Sequence, residues 1–404
     1  MKRKATTSII FMTVLLDLLG FGMVLPLMPL YASDPRFHAT SLEVGLLMSI
    51  YSFMQFLFAP FWGGLSDRFG RRPILLIGLF GSCFSYLIYG LSQSLWLLFV
   101  ARAMAGIMGA NIAAAQAAMA DITPPEKRTH AMGLIGAAFS LGFVLGPAFG
   151  GFLSGYSLEM APLVAALITG LNGVVALFLL PESHLATTPK VETRRHPFSG
   201  DLWKEALRTS PGALYICLLM GGFITLFSAF EVTLPLWGKM EHGWNMRTIG
   251  WVFAFVGVVA ALFQGGVVRR LAAKIGEKRT AATGIFFVAM GLALLNNMGD
   301  IFGIGISLAF IAAGAGLVHP GLSSLVSLNS DTEKQGMMLG LFQSLSALGR
   351  VLGPASGGVL FDMMNGKLFA EVAFGMIGIF GLLFLARKVI HDAPGRTFQV
   401  VLPG

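Results

Sequence analysis

Long apolar runs separated by short polar breaks dominate the chain. Twelve of them approach or exceed the roughly 20 residues that a helix needs to cross a bilayer. They cover 8–31, 43–65, 73–91, 95–119, 131–155, 161–180, 213–237, 246–268, 280–298, 301–325, 336–361 and 370–387. Because the runs are continuous and not alternating, they predict membrane helices and not the strands of a barrel. The longest polar break runs from Glu182 to Ser210 and includes Pro189, Arg194, Arg195, Pro197 and Gly200. It divides the chain into a six-helix bundle (1–181), a linker (182–210), a second six-helix bundle (211–391) and a tail (392–404).

The two halves repeat. Leu145-Gly-Pro-Ala-Phe-Gly-Gly151 returns as Leu352-Gly-Pro-Ala-Ser-Gly-Gly358, and Met132-Gly-Leu134 returns as Leu339-Gly-Leu341, both at an offset of 207. Asp67-Arg-Phe-Gly70 matches Ala273-Lys-Ile-Gly276 at 206, and the Leu-Pro-Leu around Pro26 matches that around Pro235 at 209. The expected architecture is an all-α polytopic membrane protein with 12 transmembrane helices in two pseudo-symmetric bundles. In such proteins the binding site lies near the bilayer midplane where the repeats meet.

Composition narrows the function. Of 404 residues, 55% are hydrophobic and 12% charged, about half the charged fraction of a soluble domain. Mean hydropathy is +0.76, and 51 glycines suit close helix packing. A soluble enzyme, a disordered chain and a disulfide scaffold are excluded. Cys83 and Cys217 read as small buried hydrophobes. The Met1-Lys-Arg-Lys4 start resembles a signal peptide, but the following run is too long, contains Asp17 and lacks a cleavage site, so it reads as the first span. The net charge is +8, and 22 of 28 Lys and Arg fall on the side of both termini, with four opposite and Arg102 and Arg350 within spans. The positive-inside rule then puts both termini in the cytoplasm, and the basic balance reflects orientation, with no nucleic acid implied. No metal-ligand spacing or nucleophile motif occurs, and His319 stands alone.

Four groups of residues carry candidate chemistry. The loop Gly63-Gly64-Leu-Ser-Asp67-Arg68-Phe-Gly70-Arg71-Arg72-Pro73 joins spans 2 and 3. In it Gly70 permits a tight turn, Pro73 suits the start of a helix, and Asp67 can cap a helix or pair with Arg71. In span 5, Gly142, Gly146, Gly150 and Gly151 surround Pro147 and form a flat packing face, echoed by Gly353 and Pro354 in span 11. Of 20 acids only Asp17 and Glu231 lie deep in spans. An intramembrane charge is functional by default, so both are candidate proton sites. The face of Asp17 carries Gly20, Phe21, Val24 and Met28, and the face of Arg102 carries Gly106, Gly109, Ala113 and Gln116. Arg102 is expected to tune Asp17 or a water chain leading to it. Glu231 either pairs with Arg350 or binds a second proton. Gln55 and Gln264 are either cavity amides or interhelix hydrogen-bonding groups.

The loop motif resembles the signature loop of the major facilitator superfamily. Together with Leu16-Asp17-x-x-Gly20-x-Gly22 and Tyr51-Ser-Phe-Met-Gln55-x-x-x-Ala59-Pro60 it resembles the tetracycline-efflux branch of the drug:proton antiporters, and Arg102-Ala-Met-Ala-Gly106 is similar to the family's second motif. The resemblance spans essentially the whole chain. It implies a charge relay of Asp67, Arg71 and Asp121 that locks one side of an alternating-access cycle. It also implies a span-5 motif that limits leak, and a cavity lined by spans 1, 4, 7 and 10. The chain departs from the branch at Ser85, where the branch carries an acid, and lacks its span-8 histidine and span-9 acid, whereas Glu231 and Arg350 are additions. These departures argue against tetracycline itself but not against proton antiport. The expected function is proton-coupled efflux of a small amphipathic molecule by a monomer in the bacterial inner membrane, with no cofactor. The alternative is an exporter or proton-coupled importer of a metabolite, siderophore or lipid.

Overall fold

The computed structural model describes residues 2–109, 112–123, 128–182, 200–295, 297–331, 334–364 and 368–385. It is helical, with no strand among the described residues. Ten helices are long and apolar enough to cross a membrane, and Phe369–Leu385 is a shorter apolar helix. The remaining expected span is the 29-residue helix Gln335–Met363, which is diluted by Gln343, Ser344, Ser346, Arg350 and Ser356. Most of the linker and the whole tail lie outside the described residues. Within the linker, Gly200–Thr209 forms a short helix.

Helix limits follow local chemistry. Span 1 is α-helical to Val24, tightens to a 3-10 turn at Leu25–Leu27 where Pro26 removes a backbone donor, and resumes as Met28–Ala32. Span 2 (Ser41–Phe69) starts at a capping box, with Thr40 and Glu43 bonding each other's backbone N–H. It stops at Gly70, whose φ of 99° favours glycine. Span 8 starts where Asn245 Oδ1 accepts from the Thr248 N–H at 2.9 Å, and span 10 (Ile301–Leu328) starts at an Asp300 cap on Gly303. Span 8 runs as Met246–Leu262, a π-helical turn at Phe263–Val267, and Val268–Ile275.

The packing repeats as the sequence does. Span 1 packs against span 5 (Arg128–Ser154), and span 3 (Arg71–Gly90) packs against span 4 and span 6 (Met160–Leu179). In the second half, span 7 (Pro211–His242) meets span 11 where Gly349 faces the Gly221 carbonyl. Span 9 (Glu277–Leu295) packs against spans 10 and 12. Each pairing recurs six helices later.

Two compact units result, and they cut across the repeat. One holds Met1–Thr193, Ser228–Gly257 and Arg350–Gly366; the other holds Arg194–Phe227, Val258–Gly349 and Lys367–Gly404. Glycine seams hold the first unit together. A Cβ on Gly146 would lie 2.6 Å from Gly22, and one on Gly22 would lie 2.5 Å from the Gly142 carbonyl. Gly150 faces the Met23 carbonyl in the same seam, while Gly151 abuts Gly250, which in turn faces the Pro147 carbonyl. Gly45 meets Pro354, and the Ser49 hydroxyl donates to the Val351 carbonyl at 2.6 Å. Gly146→Ala should therefore force spans 1 and 5 apart at a cost of about 1–3 kcal/mol, read as a lower thermal midpoint of the purified protein. Gly136→Ala, whose Cβ would meet open space, should leave the midpoint unchanged or raise it.

Candidate functional site

The loop after span 2 closes on one guanidinium. Arg71 is buried. Its Nη1 lies 2.5 Å from Asp67 Oδ1, its Nε lies 3.0 Å from Asp121 Oδ2, and Nη1 also donates to Ser66 Oγ at 2.7 Å. Of the two roles open to Asp67, pairing with Arg71 is the one observed. The cap comes from Glu182, at the end of span 6, whose carboxylate accepts from the Arg71 and Arg72 backbone N–H groups at 2.8 and 3.2 Å. Gly70 makes room for it, because a Cβ there would collide with the Glu182 carboxylate. The Arg72 guanidinium donates to the Leu177 carbonyl. Arg68 lies outside the network, 5.1 Å over the Phe69 ring, and Gly64 faces open space. Glu182 was not among the expected site residues. Only its position directly after an apolar span, opposite a helix start, could have signalled the role.

Deeper in the same unit, Arg102 is 1% exposed. Its guanidinium stacks 4.5 Å from the Tyr51 ring centroid, and Nε donates a long bond of 3.4 Å to the Leu47 carbonyl. Nη2 has no hydrogen-bond partner among the described residues. Gly106 sits against the Tyr51 backbone, and a Cβ on Gly109 would lie 2.7 Å from the Tyr51 hydroxyl. The small face of span 4, expected to border a cavity, is thus filled by span 2. Gln55 Nε2 donates to the Gly109 carbonyl at 3.3 Å and to the Tyr51 hydroxyl at 3.4 Å, so Gln55 is an interhelix bonding group.

Asp17 is half-buried on span 1. Tyr51 and Tyr86 both feel its charge, as they do that of Arg102. Among the described residues no hydrogen bond or ion pair reaches the Asp17 carboxylate. Phe21 packs 5.0 Å from Tyr51 and 5.8 Å edge-on from Phe143. Tyr51 also feels Arg350, which in turn acts on Glu231, while Ser228 hydrogen-bonds the Glu231 side chain. Asp17, Tyr51, Arg102, Arg350 and Glu231 thus form one electrostatic chain within the first unit. Of the other expected cavity residues, Met28 is fully buried, Gln116 is exposed, and Gln264 is exposed in the π turn of span 8.

The sequence profile of the Major Facilitator Superfamily matches residues 10–354 and 248–398. The chain belongs to this superfamily. It is 35% identical over 359 residues to the class C tetracycline resistance protein of Escherichia coli, covering 88% of this chain and 89% of that one. It is 28% identical over 395 residues to multidrug resistance protein 2 of Bacillus subtilis, covering 97% and 98%. The crystal structure of the human organic anion transporter MFSD10 (TETRAN) superposes with a TM-score of 0.71 at 25% identity, covering 94% of this chain and 99% of that one. The chain is therefore a multi-pass membrane transporter of the major facilitator type, similar to drug-efflux proteins.

At the end of the unit remote from the loop motif, Arg36 binds Asp34 and Glu159 at 2.9 and 2.6 Å, and the hydrogen bond from Arg36 holds the Glu159 carboxyl below its ordinary range. Lys239 Nζ donates to the Ser33 hydroxyl and carbonyl at 2.9 and 3.2 Å.

The charged cap at the other end yields a test. Glu182→Gln should weaken the start of span 3 by roughly 0.3–1 kcal/mol, as expected for an exposed anion at a helix N-terminus. A fall in thermal midpoint that shrinks at high salt would report it.

Proposed function

We propose that this superfamily member is a proton-coupled antiporter that exports a small amphipathic molecule by alternating access. One observation carries the reading: Asp17 sits within a transmembrane helix, within electrostatic reach of Tyr51 and Tyr86, with no neutralising partner among the described residues. An intramembrane carboxylate in that setting marks a proton or ligand site. Burial favours its neutral form and a nearby cation its charged form, so changes of access can load and unload a proton. Proton and cargo then compete for Asp17, and an inward proton gradient drives cargo outward. Glu231 and Arg350 serve as a second charged pair beside the same site. The Asp67–Arg71–Asp121 network acts as the cytoplasmic lock. The similarity to tetracycline and multidrug resistance proteins supports efflux as the direction.

In this reading the transporter is a monomer in the bacterial inner membrane, with both termini in the cytoplasm as the Lys and Arg distribution favours. It uses protons, cargo and lipid but no cofactor and no nucleic acid. A second reading, export of an organic anion or related metabolite, is favoured by the deep cation Arg350 and by the likeness to MFSD10.

Sealed proteoliposomes with an imposed pH gradient separate the readings. Ethidium and tetracycline as cationic and zwitterionic probes, and fluorescein as an anionic one, report cargo charge. Wild-type protein should move at least one probe uphill in a gradient-dependent way, and Asp17→Asn should abolish accumulation while leaving downhill counterflow. Full uphill transport by Asp17→Asn would exclude the mechanism.

A further inference from the structure

The buried arginine of span 4 does not contact the acid it was expected to tune. Arg102 is held instead by Tyr51, whose ring lies 4.5 Å from the guanidinium. The ring cannot drift away, because Phe21 backs it at 5.0 Å, Gln55 donates to its hydroxyl, and Gly106 and Gly109 leave a slot that its backbone and hydroxyl fill. Tyr51 also lies within electrostatic reach of Asp17. An aromatic face satisfies a desolvated guanidinium without neutralising it.

We infer that Tyr51 is a positioning residue for the Asp17 site: its ring parks the Arg102 guanidinium and keeps that charge off the carboxylate. The inference rests on the reading of Asp17 as the proton site. Tyr51 of span 2 and Tyr86 of span 3 feel the charge of Asp17 directly, while Arg102 of span 4 acts on both of those tyrosines and Arg350 of span 11 acts on Tyr51. Spans 5 and 6 present glycines, Thr169 and Asn172 to span 1. Among these, Arg102 is the cation whose placement Tyr51 controls. Released from the ring, the guanidinium has an unpartnered Nη2 to offer, and a carboxylate is the partner that fits a guanidinium best.

The test needs no cargo. Purified full-length protein in lipid nanodiscs is titrated while the infrared band of protonated carboxyl groups is followed, and the Asp17 component is identified by its loss in Asp17→Asn. Tyr51→Phe keeps the ring and should leave the midpoint of that component where the wild type has it. Tyr51→Leu should move it to lower pH by about one unit, the direction in which a close guanidinium favours the ionised carboxylate. In an Arg102→Gln background, Tyr51→Leu should add no further shift, since the two changes act through one interaction. If Tyr51→Leu does not fold, Tyr51→Met removes the ring at similar volume and carries the same expectation. An unmoved midpoint, an equal shift in Tyr51→Phe, or a shift that survives Arg102→Gln would overturn the inference and leave the Asp17 reading standing. A titration in which Asp17→Asn removes no component would overturn both.

Discussion

A guanidinium that stays charged has to be satisfied wherever a fold places it, and in the interior of a helix bundle water is not the default partner. Arg102 meets that requirement by organising three spans. Span 2 supplies the Tyr51 ring and the Leu47 carbonyl, and span 4 supplies the two glycines that let Tyr51 approach. Gln55 fixes the Tyr51 hydroxyl and ties span 2 to the Gly109 carbonyl. On the far side, Phe21 of span 1 packs on the same ring. The approach of spans 1, 2 and 4 is thus dictated by one cation and one aromatic ring, and the acid of span 1 inherits its surroundings from them.

The Asp67–Arg71–Asp121 contacts have no counterpart of the same charges in the second repeat. At the positions of Asp67 and Arg71 the second copy carries Ala273 and Glu277, so it has neither the acid nor the base of the first. What both copies retain is the turn: Gly70 and Gly276 have φ of 99° and 87°. The backbone device survives duplication because geometry requires it, whereas the charges diverge. The two repeats therefore share a turn geometry but not its charges.

Much of this was legible in the chain. Span number, the turn glycines, the span-5 packing face and the meeting of Asp67, Arg71 and Asp121 follow from periodicity, motif and resemblance, because each depends on neighbours close in sequence or on a recurrent pattern. Other features were hidden for physical reasons. Tyr51 stands in the sequence only as the first residue of a motif, since hydropathy does not register that a ring can hold a cation from another helix. Glu182 looked like the first residue of a linker, and its role depends on which helix start the fold brings opposite it. Met28 shares a helical face with Asp17, yet the 3-10 turn at Leu25–Leu27 intervenes and the side chain ends fully buried. The Gln264 amide reads from the sequence as a cavity or an interhelix hydrogen-bonding group, and nothing there announces the wide turn that carries it.

That wide turn also settles where the next loop begins. Span 2 has 29 residues and its counterpart, span 8, has 30, and each ends on a left-handed glycine that begins the equivalent loop. A surplus residue inside an α-helix would normally rotate everything after it by about 100°. Span 8 absorbs the excess in a single loosened coil at Phe263–Val267, so Gly276 still lands where a turn glycine must. One extra residue per helix is thus carried in a single turn, and both flanks keep their α-helical register.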